Sequence, residues 1–181
     1  MVSWGKENVI LIKPDVSYAE EIRSYRSEML LAGSSMDGTG ALRRIENPAE
    51  WLRYNAMMER PEMVPENKVP ATQFILTDTD TGRIYGMLQV RHELNEYLQK
   101  YAGHIGYSVR PTERRKGYAK KMLKLALKFC KETLGLERVM VSCLVENEAS
   151  RRTILACGGV FDEKVFEHIE NVWLEKYWIM L

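Results

Sequence analysis

One segment of this sequence restricts the fold more than any other, because three kinds of local structure follow one another directly in it. Residues 103–109 have the composition of a buried strand, and 114–119 contain the turn Arg-Arg-Lys-Gly-Tyr-Ala. Apolar residues then recur at helical spacing, at positions Ala119, Met122, Leu123, Ala126, Cys130 and Leu134. A strand, a basic turn and an amphipathic helix in this order predict a layered structure of sheet and helices.

The basic turn also predicts an anion site. The first turn of a helix leaves backbone N–H groups unpaired at the positive end of the helix dipole, where a phosphate group is stabilised. Gly117 and Ala119 keep that backbone accessible, and Arg114, Arg115 and Lys116 add positive charge. From 110 to 131 there are nine Lys or Arg against one Glu, although the whole chain carries only +1. The alternative is a solvated helix start with lysines on its exposed face.

Several classes of function are disfavoured. The turn is neither the GxxxxGK[ST] loop of nucleotide hydrolases nor the three-glycine dinucleotide fingerprint. The near-neutral charge argues against nucleic acid as the main partner. Three cysteines, thirteen and fourteen residues apart, fit neither a disulfide framework nor a CxxC metal site, so no metal is expected. The chain shows no export signal and no run of ~18 apolar residues, which predicts a cytoplasmic protein without a membrane segment.

The rest of the chain predicts further strands and helices. We expect strands at 8–13, 72–77, 83–91, 138–145, 160–166 and 172–180, and further helices from Tyr18, Asn47 and Ala149. Residues 33–40, Gly-Ser-Ser-Met-Asp-Gly-Thr-Gly, supply no packing face and are predicted to form a loop that orders only around a ligand. The element order predicts an α/β (α+β) fold: one domain, 1–181, with a mixed, mostly antiparallel central sheet and helices on both faces.

Two motifs carry a resemblance to a known family. Tyr107-Ser108-Val109-Arg110-Pro111 followed by the turn at 114–119 resembles the acetyl-CoA-binding motif R/Q-x-x-G-x-G/A of the GNAT superfamily of N-acetyltransferases. Residues 147–150, followed by Gly-Gly-Val-Phe at 158–161, resemble the family's second cofactor segment. The run 104–111 is similar to a bacterial branch of predicted acetyltransferases. The resemblance covers roughly 72–166.

The resemblance implies a GNAT-like acyl-CoA N-acyltransferase fold with acetyl-CoA as cosubstrate. Residues 72–166 would form the acetyl-CoA-binding core, 1–71 the acceptor side, and 167–181 a C-terminal strand. The strand around Val109 would splay from the strand around Leu144, and its free backbone groups would pair with the pantetheine amides. The implied cofactor-binding residues are Tyr107, Val109, Arg114, Arg115, Lys116, Gly117, Tyr118, Ala119, Asn147 and Ser150. By its residue type, Asn147 equally fits a helix N-cap.

His104 is the leading prediction for the general base that deprotonates the attacking amine. It lies five residues before Val109, where many family members carry a Glu that acts as base, and an ordinary imidazole pKa of ~6.5 suits the task. A histidine in a strand is otherwise structural. Glu93, His92 and Glu146 are reserve predictions.

The general acid is left open by the sequence. Ile154 stands seven residues after the Asn, where many family members place a Tyr that protonates the leaving thiolate. Either the thiolate leaves without an acid, or another tyrosine such as Tyr107 or Tyr177 serves. Cys143 could form a covalent acyl-enzyme, but a core cysteine in an apolar strand is the favoured interpretation.

These inferences predict transfer of an acetyl group from acetyl-CoA to a primary amine of a small molecule, peptide or protein, by direct attack. The main alternative is a non-catalytic acyl-CoA-binding or sensor domain. A nucleic-acid-binding module that uses the lysine-rich helix is a third, disfavoured interpretation. No nucleic-acid or membrane partner is expected, and a homodimer is a further expectation.

Overall fold

The computed structural model describes residues 8–181. Residues 1–7, on which the prediction of no export signal rests, lie outside the described residues. The helices and strands, in chain order, are β1 Val9–Ile12, α1 Ala19–Leu31, α2 Pro48–Met58, β2 Ala71–Asp78, β3 Ile84–Arg91, β4 Ile105–Val109, α3 Tyr118–Glu132, β5 Arg138–Leu144, α4 Glu148–Leu155, β6 Val160–Glu167 and β7 Val172–Met180. Every strand and helix predicted from the sequence is present, with bounds that differ by a few residues.

The strands form two sheets rather than the one central sheet that the sequence predicts. One sheet has the order β1-β2-β3-β4 and the other the order β5-β7-β6, and every pairing within them is antiparallel. A single bridge between Gly103 and Val141 connects the start of β4 to β5. The mostly antiparallel character is confirmed, whereas the sheet is divided between β4 and β5.

Helices cover both faces of the first sheet, as predicted. On β2, Phe74 and Leu76 pack in the core that includes α3, whereas Ile75 packs in a second core with α1 and α2. This alternation follows from the period of two along a strand, which sends successive side chains to opposite faces. Both faces of β2 are therefore buried, and its eight residues are buried throughout.

The signals at the start of α2 are confirmed. The Asn47 side chain accepts hydrogen bonds from the backbone N–H groups of Ala49 and Glu50, at 2.9 and 3.3 Å, and Pro48 occupies the first helical position. Trp51 is fully buried and its ring N–H donates to the carbonyl oxygen of Thr39 at 2.9 Å. This bond connects α2 to the segment that precedes it.

The prediction for residues 33–40 is wrong, because this loop packs against the protein itself. Met36 belongs to the second core, and Thr39 is buried. Gly38 has a φ of +72° and lies so close to β4 that an added Cβ would be 2.2 Å from the carbonyl oxygen of Gly106. Glycine has no side chain that could form an apolar face, but for the same reason its backbone can pack directly against β4.

A buried arginine fixes the far end of β4. Arg110 is fully buried and forms ion pairs with Glu21 and Glu28 of α1, at 3.2 and 3.4 Å. The hydroxyl of Tyr25, also on α1, donates to the carbonyl oxygen of Ser108 at 3.0 Å. In the sequence, Arg110 is a member of the family motif and one of several positive charges, whereas in the structure it joins α1 to the strand before the basic turn.

No helix within residues 8–181 combines the length and the apolar composition needed to cross a membrane.

Candidate active site

The strands β4 and β5 meet at one end and part at the other, which forms a wedge. At the closed end the His104 backbone N–H donates to the carbonyl oxygen of Met140 at 2.8 Å, and the Met140 N–H donates to His104 Nδ1 at 3.0 Å. Beyond the Gly103–Val141 bridge, β4 pairs only with β3, and β5 pairs only with β7, within the residues described. The splay that the family resemblance implies therefore has a geometric basis.

The register of β4 decides which backbone groups face the wedge. Towards β3, the Arg91 N–H donates to the carbonyl oxygen of His104, and the Arg110 N–H donates to that of Tyr85. Because bonded residues alternate along an antiparallel pair, the even-numbered residues of β4 bond to β3. The N–H and C=O groups of the odd-numbered residues Tyr107 and Val109 therefore face the wedge.

The loop before α3 presents backbone at the open end of the wedge. Gly117 is the N-cap of α3, with a φ of +82°, and no side chain caps the helix there. An added Cβ at Gly117 would have no atom within 4 Å, so the space above it is open. Arg115 also has a positive φ, +62°, which is uncommon outside glycine and marks a loop held in a special conformation. A helix start exposed in this way fits a phosphate group.

The side chains of the predicted pyrophosphate loop have different surroundings. Arg114 donates from Nε to the carbonyl oxygen of Val109 at 3.2 Å and from its NH2 group to Ser34 Oγ at 2.7 Å. Lys116 donates to Glu113 at 2.9 Å. Tyr118 is buried and stacks on Tyr85, with 4.8 Å between the ring centroids.

These contacts define what the loop can offer a ligand. Tyr118 can offer only its backbone, while Arg114, Arg115 and Lys116 are exposed and can add charge to the site.

The opposite wall of the wedge is the start of α4. The hydroxyl oxygens of Tyr107 and Ser150 lie 2.8 Å apart, which joins β4 to α4 across the gap. Asn147 Oδ1 accepts the Ser150 N–H at 3.0 Å, so the N-cap role is observed. Burial raises the pKa of Tyr107, whose hydroxyl therefore stays protonated over the physiological range. The structure thus brings three predicted residues together across the gap, Tyr107 from β4 and Asn147 and Ser150 from α4.

His104 lies at the closed end of the wedge and is 6% exposed. Burial, together with the neighbouring Arg91 charge, lowers its pKa to about 4. Because Nδ1 accepts the Met140 N–H, the neutral ring carries its proton on Nε2. Neither nitrogen then has a lone pair free for an incoming proton, so this arrangement favours a role in joining the strands.

The remaining sequence predictions lie in several places. His92 Nε2 is bonded to Thr72 Oγ1 at 2.8 Å, and burial lowers its pKa, while Glu93 and Glu146 are exposed. Burial raises the pKa of Cys143 to about 11, which keeps its thiol protonated and argues against a covalent acyl-enzyme.

Tyr177, the other tyrosine considered as general acid, and Ile154, at the usual position of that acid, have different surroundings. The Tyr177 hydroxyl donates to Glu175 at 2.7 Å, and Ile154 is fully buried in the core.

Two charged residues near β4 were not identified from the sequence. Asp37 precedes Gly38, which packs on Gly106, and it therefore lies beside the middle of β4. The main influence on the pKa of Tyr107 and of Arg91 is burial, which raises the first and lowers the second. The negative charge of Asp37 acts on both residues and makes loss of their protons less favourable. The Asp-Gly dipeptide gave only a turn signal, because nothing local indicates that the loop folds back onto β4.

Arg91, at the end of β3, lies on the same face of the sheet as Asp37. It donates from NH1 to the carbonyl oxygen of Gly103 at 2.9 Å, next to His104. The charge and the strand position of Arg91 were visible in the sequence, but its contact with β4 depends on the register between the two strands.

Within residues 8–181 there is no group of three or more His, Cys, Asp or Glu side chains placed to hold a metal ion. The expectation that no metal takes part stays a prediction.

The fold is similar to those of solved acetyltransferases. A ribosomal-protein-S5-alanine acetyltransferase from Vibrio fischeri matches with a TM-score of 0.73 at 19% identity, over 99% of this chain and 97% of that chain. A dodecameric spermidine N-acetyltransferase from Vibrio cholerae matches with a TM-score of 0.67 at 16% identity, over 97% and 95%.

The microcin C7 self-immunity acetyltransferase MccE, solved with acetyl-CoA and AMP, matches with a TM-score of 0.67 at 17% identity, over 97% of this chain and 94% of that chain. At such identities these likenesses show the fold. A comparison with curated proteins found no match.

The family assignment rests on the sequence itself. Residues 17–160 match the acetyltransferase (GNAT) domain family, which is most of the chain and includes both walls of the wedge. This protein therefore belongs to the GNAT acetyltransferase family.

Proposed function

We propose that this chain transfers the acetyl group of acetyl-CoA to a primary amine by direct attack, with the wedge between β4 and β5 as the site of the reaction. One observation carries the proposal: the backbone of Tyr107 and Val109 faces an edge that β5 leaves uncovered, and that edge ends at the uncapped start of α3. Family membership supports the same activity, and the comparisons give no support to the non-catalytic alternative.

The cofactor-binding roles follow from this geometry. An extended ligand with amide groups can pair with Tyr107 and Val109 as an added strand would. The backbone from Arg114 to Ala119 would hold the pyrophosphate, and Asn147 and Ser150 would contact the pantetheine arm. When bound, acetyl-CoA supplies an activated thioester carbonyl.

We further propose that two groups beside β4 handle the protons. The Asp37 carboxylate lies next to the strand and can accept a proton from the acceptor ammonium through a water molecule. The Tyr107 hydroxyl, kept protonated by burial, can donate a proton to the leaving thiolate. A phenol is therefore present in the wedge although Ile154 occupies the usual position. His104 would then act by holding the closed end of the wedge.

Release of CoA from acetyl-CoA over a panel of amines, peptides and proteins tests the function. We expect turnover with at least one acceptor. Tight binding of acetyl-CoA without turnover on any acceptor would reject the enzyme in favour of the sensor domain. Acetyl-CoA at about 100 times its Kd should stabilise the protein by ~2.7 kcal/mol and raise its melting point. An unchanged melting point would reject acetyl-CoA as the cosubstrate.

Two substitutions at His104 separate its possible roles. In His104→Asn, the amide oxygen can accept the Met140 N–H in place of Nδ1. We expect His104→Asn to keep kcat within about threefold of the wild type, and His104→Ala to lose stability. A fall of about a hundredfold or more in kcat for both variants, with the fold intact, would restore His104 as the base.

A further inference from the structure

A cavity of about 290 Å³ lies at the end of β3, on the face of the sheet that α1 and α2 cover. Its lining comes from the loop that begins at Gly40, from α2, from the proline-rich segment and the start of β2, and from the end of β3 with the segment 95–98 that follows. Its volume is close to the lower end of the range for small-molecule sites, roughly 300–1,000 Å³. The occupant that it fits is therefore a small group rather than a long chain.

The cavity is strongly basic. Arg44, Lys68 and Arg91 line it from three separate parts of the chain, and its lining within residues 8–181 includes no Asp or Glu. Within the same residues no carboxylate lies within ion-pair distance of Arg44 or Lys68. The Asp37 carboxylate interacts with Arg91, but Arg44 and Lys68 have no neutralising acid, so the lining favours an anion and disfavours a polyamine.

The floor of the cavity, at Gly40, is polar. A Cβ added to Gly40 would be 2.9 Å from Gln89 Nε2 and 3.1 Å from Asn55 Oδ1. Behind Gly40, Asn55 Oδ1 and Gln73 Oε1 are buried without a hydrogen-bond partner in the described part of the chain. Unpaired buried amides are costly, and a layer of them is a poor floor for an apolar group. The unpaired oxygens are acceptors, so the donor that an oxyanion could meet at this floor is Gln89 Nε2, next to Gly40.

The cavity is connected through β3 to β4, the strand on which the reaction is proposed to occur. Gln89, which lines it, is the register partner of Gly106 on β4, and Arg91 donates to the carbonyl oxygen of Gly103. Asp37 lies beside the same part of β4. An acceptor could thus place its amine at Asp37 and its other end in the cavity.

We propose that this cavity binds an oxyanion of the acceptor, a carboxylate or a phosphate, so that the acceptor is a small primary amine that also carries that anion. The inference rests on the proposed acetyl transfer and narrows its substrate class. Arg44 and Lys68 supply the charge at the mouth, and Arg91 connects the anion to the strand that faces the thioester. A polycationic acceptor is the opposite of what this lining binds.

The test is calorimetric titration of the full chain without acetyl-CoA, so that binding is measured apart from turnover. The probes are the dipeptide Ala-Ala against its C-terminal amide, O-phosphoethanolamine against ethanolamine, and spermidine. We expect one anion-bearing probe, Ala-Ala or O-phosphoethanolamine, to bind at least tenfold more tightly than its counterpart that lacks the anion. The probe that does so identifies the anion as a carboxylate or a phosphate. The double variant Arg44→Gln/Lys68→Gln should reduce that preference to threefold or less.

Arg53→Gln is the matched control, because Arg53 is exposed on α2 and does not line the cavity. It should leave the preference unchanged. Four outcomes would each overturn the inference: equal affinity for the probes with and without the anion, tightest binding of spermidine, a preference that survives in the double variant, or no binding of either anion-bearing probe.

Release of CoA with the same amines separates this inference from the proposed function. Turnover without a preference for anionic amines rejects the inference and keeps the acetyl transfer. An anion preference in binding without turnover on any amine keeps the cavity assignment and rejects the acetyl transfer.

Discussion

The two sides of β4 are built in different ways. On the wedge side, the proposed cofactor site consists mainly of backbone: the outward groups of Tyr107 and Val109, and the start of α3 at Gly117. On the other side, the proposed acceptor site consists of side chains, such as Asp37 and Arg91, that come from distant parts of the sequence. A site made of backbone depends on local conformation, whereas a site made of side chains depends on how the loops pack.

Substitutions on the two sides of β4 should therefore have different effects. A change on the wedge side should alter the affinity for acetyl-CoA and leave the fold intact, because the space there is open. A change on the acceptor side should alter the chemistry or the stability, because the loop 33–40 packs directly on β4.

The largest effect is expected for Asp37→Asn. Loss of the carboxylate that we propose as proton acceptor should lower kcat by about 10²-fold or more, with little change in the KM for acetyl-CoA. Steady-state CoA release measures both constants. Ser35→Ala is the control, because it removes the 2.7 Å hydrogen bond to Asp37 and keeps the charge. A kcat within threefold of the wild type for Asp37→Asn would show that the acceptor side contributes no base at this position.

Gly38→Ala should cause the largest loss of stability. Its Cβ would be 2.2 Å from the carbonyl oxygen of Gly106, and its φ is +72°. Steric overlap and the left-handed backbone together should cost about 3–4 kcal/mol of unfolding free energy, and thermal unfolding should show it as a drop of roughly 6–16 °C. Gly33→Ala is the control, because Gly33 has a φ of +58° and no atom within 4 Å of an added Cβ. Its loss of stability measures the cost of the left-handed backbone alone. Equal losses in the two variants would mean that the loop does not press on β4.

The pH dependence of the free energy of unfolding tests whether His104 is held neutral at the closed end of the wedge. The pKa of His104 is about 4 in the folded protein and ~6.5 in the unfolded chain, so the unfolded chain binds the proton first as the pH falls. The free energy of unfolding should therefore decrease between pH 6.5 and 4, by on the order of 2–3 kcal/mol from this residue. Urea unfolding of the wild type and His104→Asn at both pH values isolates the contribution. Identical pH dependence in the two proteins would show that His104 is not held neutral.

Gly117→Ala should have the smallest effect and should act on the wedge side only. The φ of +82° makes alanine unfavourable by about 1 kcal/mol, but nothing lies within 4 Å of the added methyl group. We expect a threefold to tenfold loss of affinity for acetyl-CoA, measured by calorimetry, with kcat nearly unchanged. A change in kcat with unaltered affinity for acetyl-CoA would show that this loop acts in the chemical step and not in cofactor binding.

The sequence allowed the cofactor side to be predicted further than the acceptor side. The turn at 114–119, the α3 periodicity and the Asn47 and Asn147 caps are local patterns, and each has the expected structure. The loop 33–40 was predicted wrongly, since its glycines give no pattern that shows which strand they pack against. The His104 contacts were equally hidden, because its partner Met140 is thirty-six residues away.

The sequence by itself determined the elements, their order, the antiparallel pairing and the position of a helix start suited to phosphate, because each depends on residues near one another in the chain. Only the tertiary structure decided where the sheet divides, how Asp37 reaches β4 and how Arg44, Lys68 and Arg91 come to line one cavity. Those features depend on strand register and on loop packing, which bring distant residues together and leave no periodic signal in the sequence.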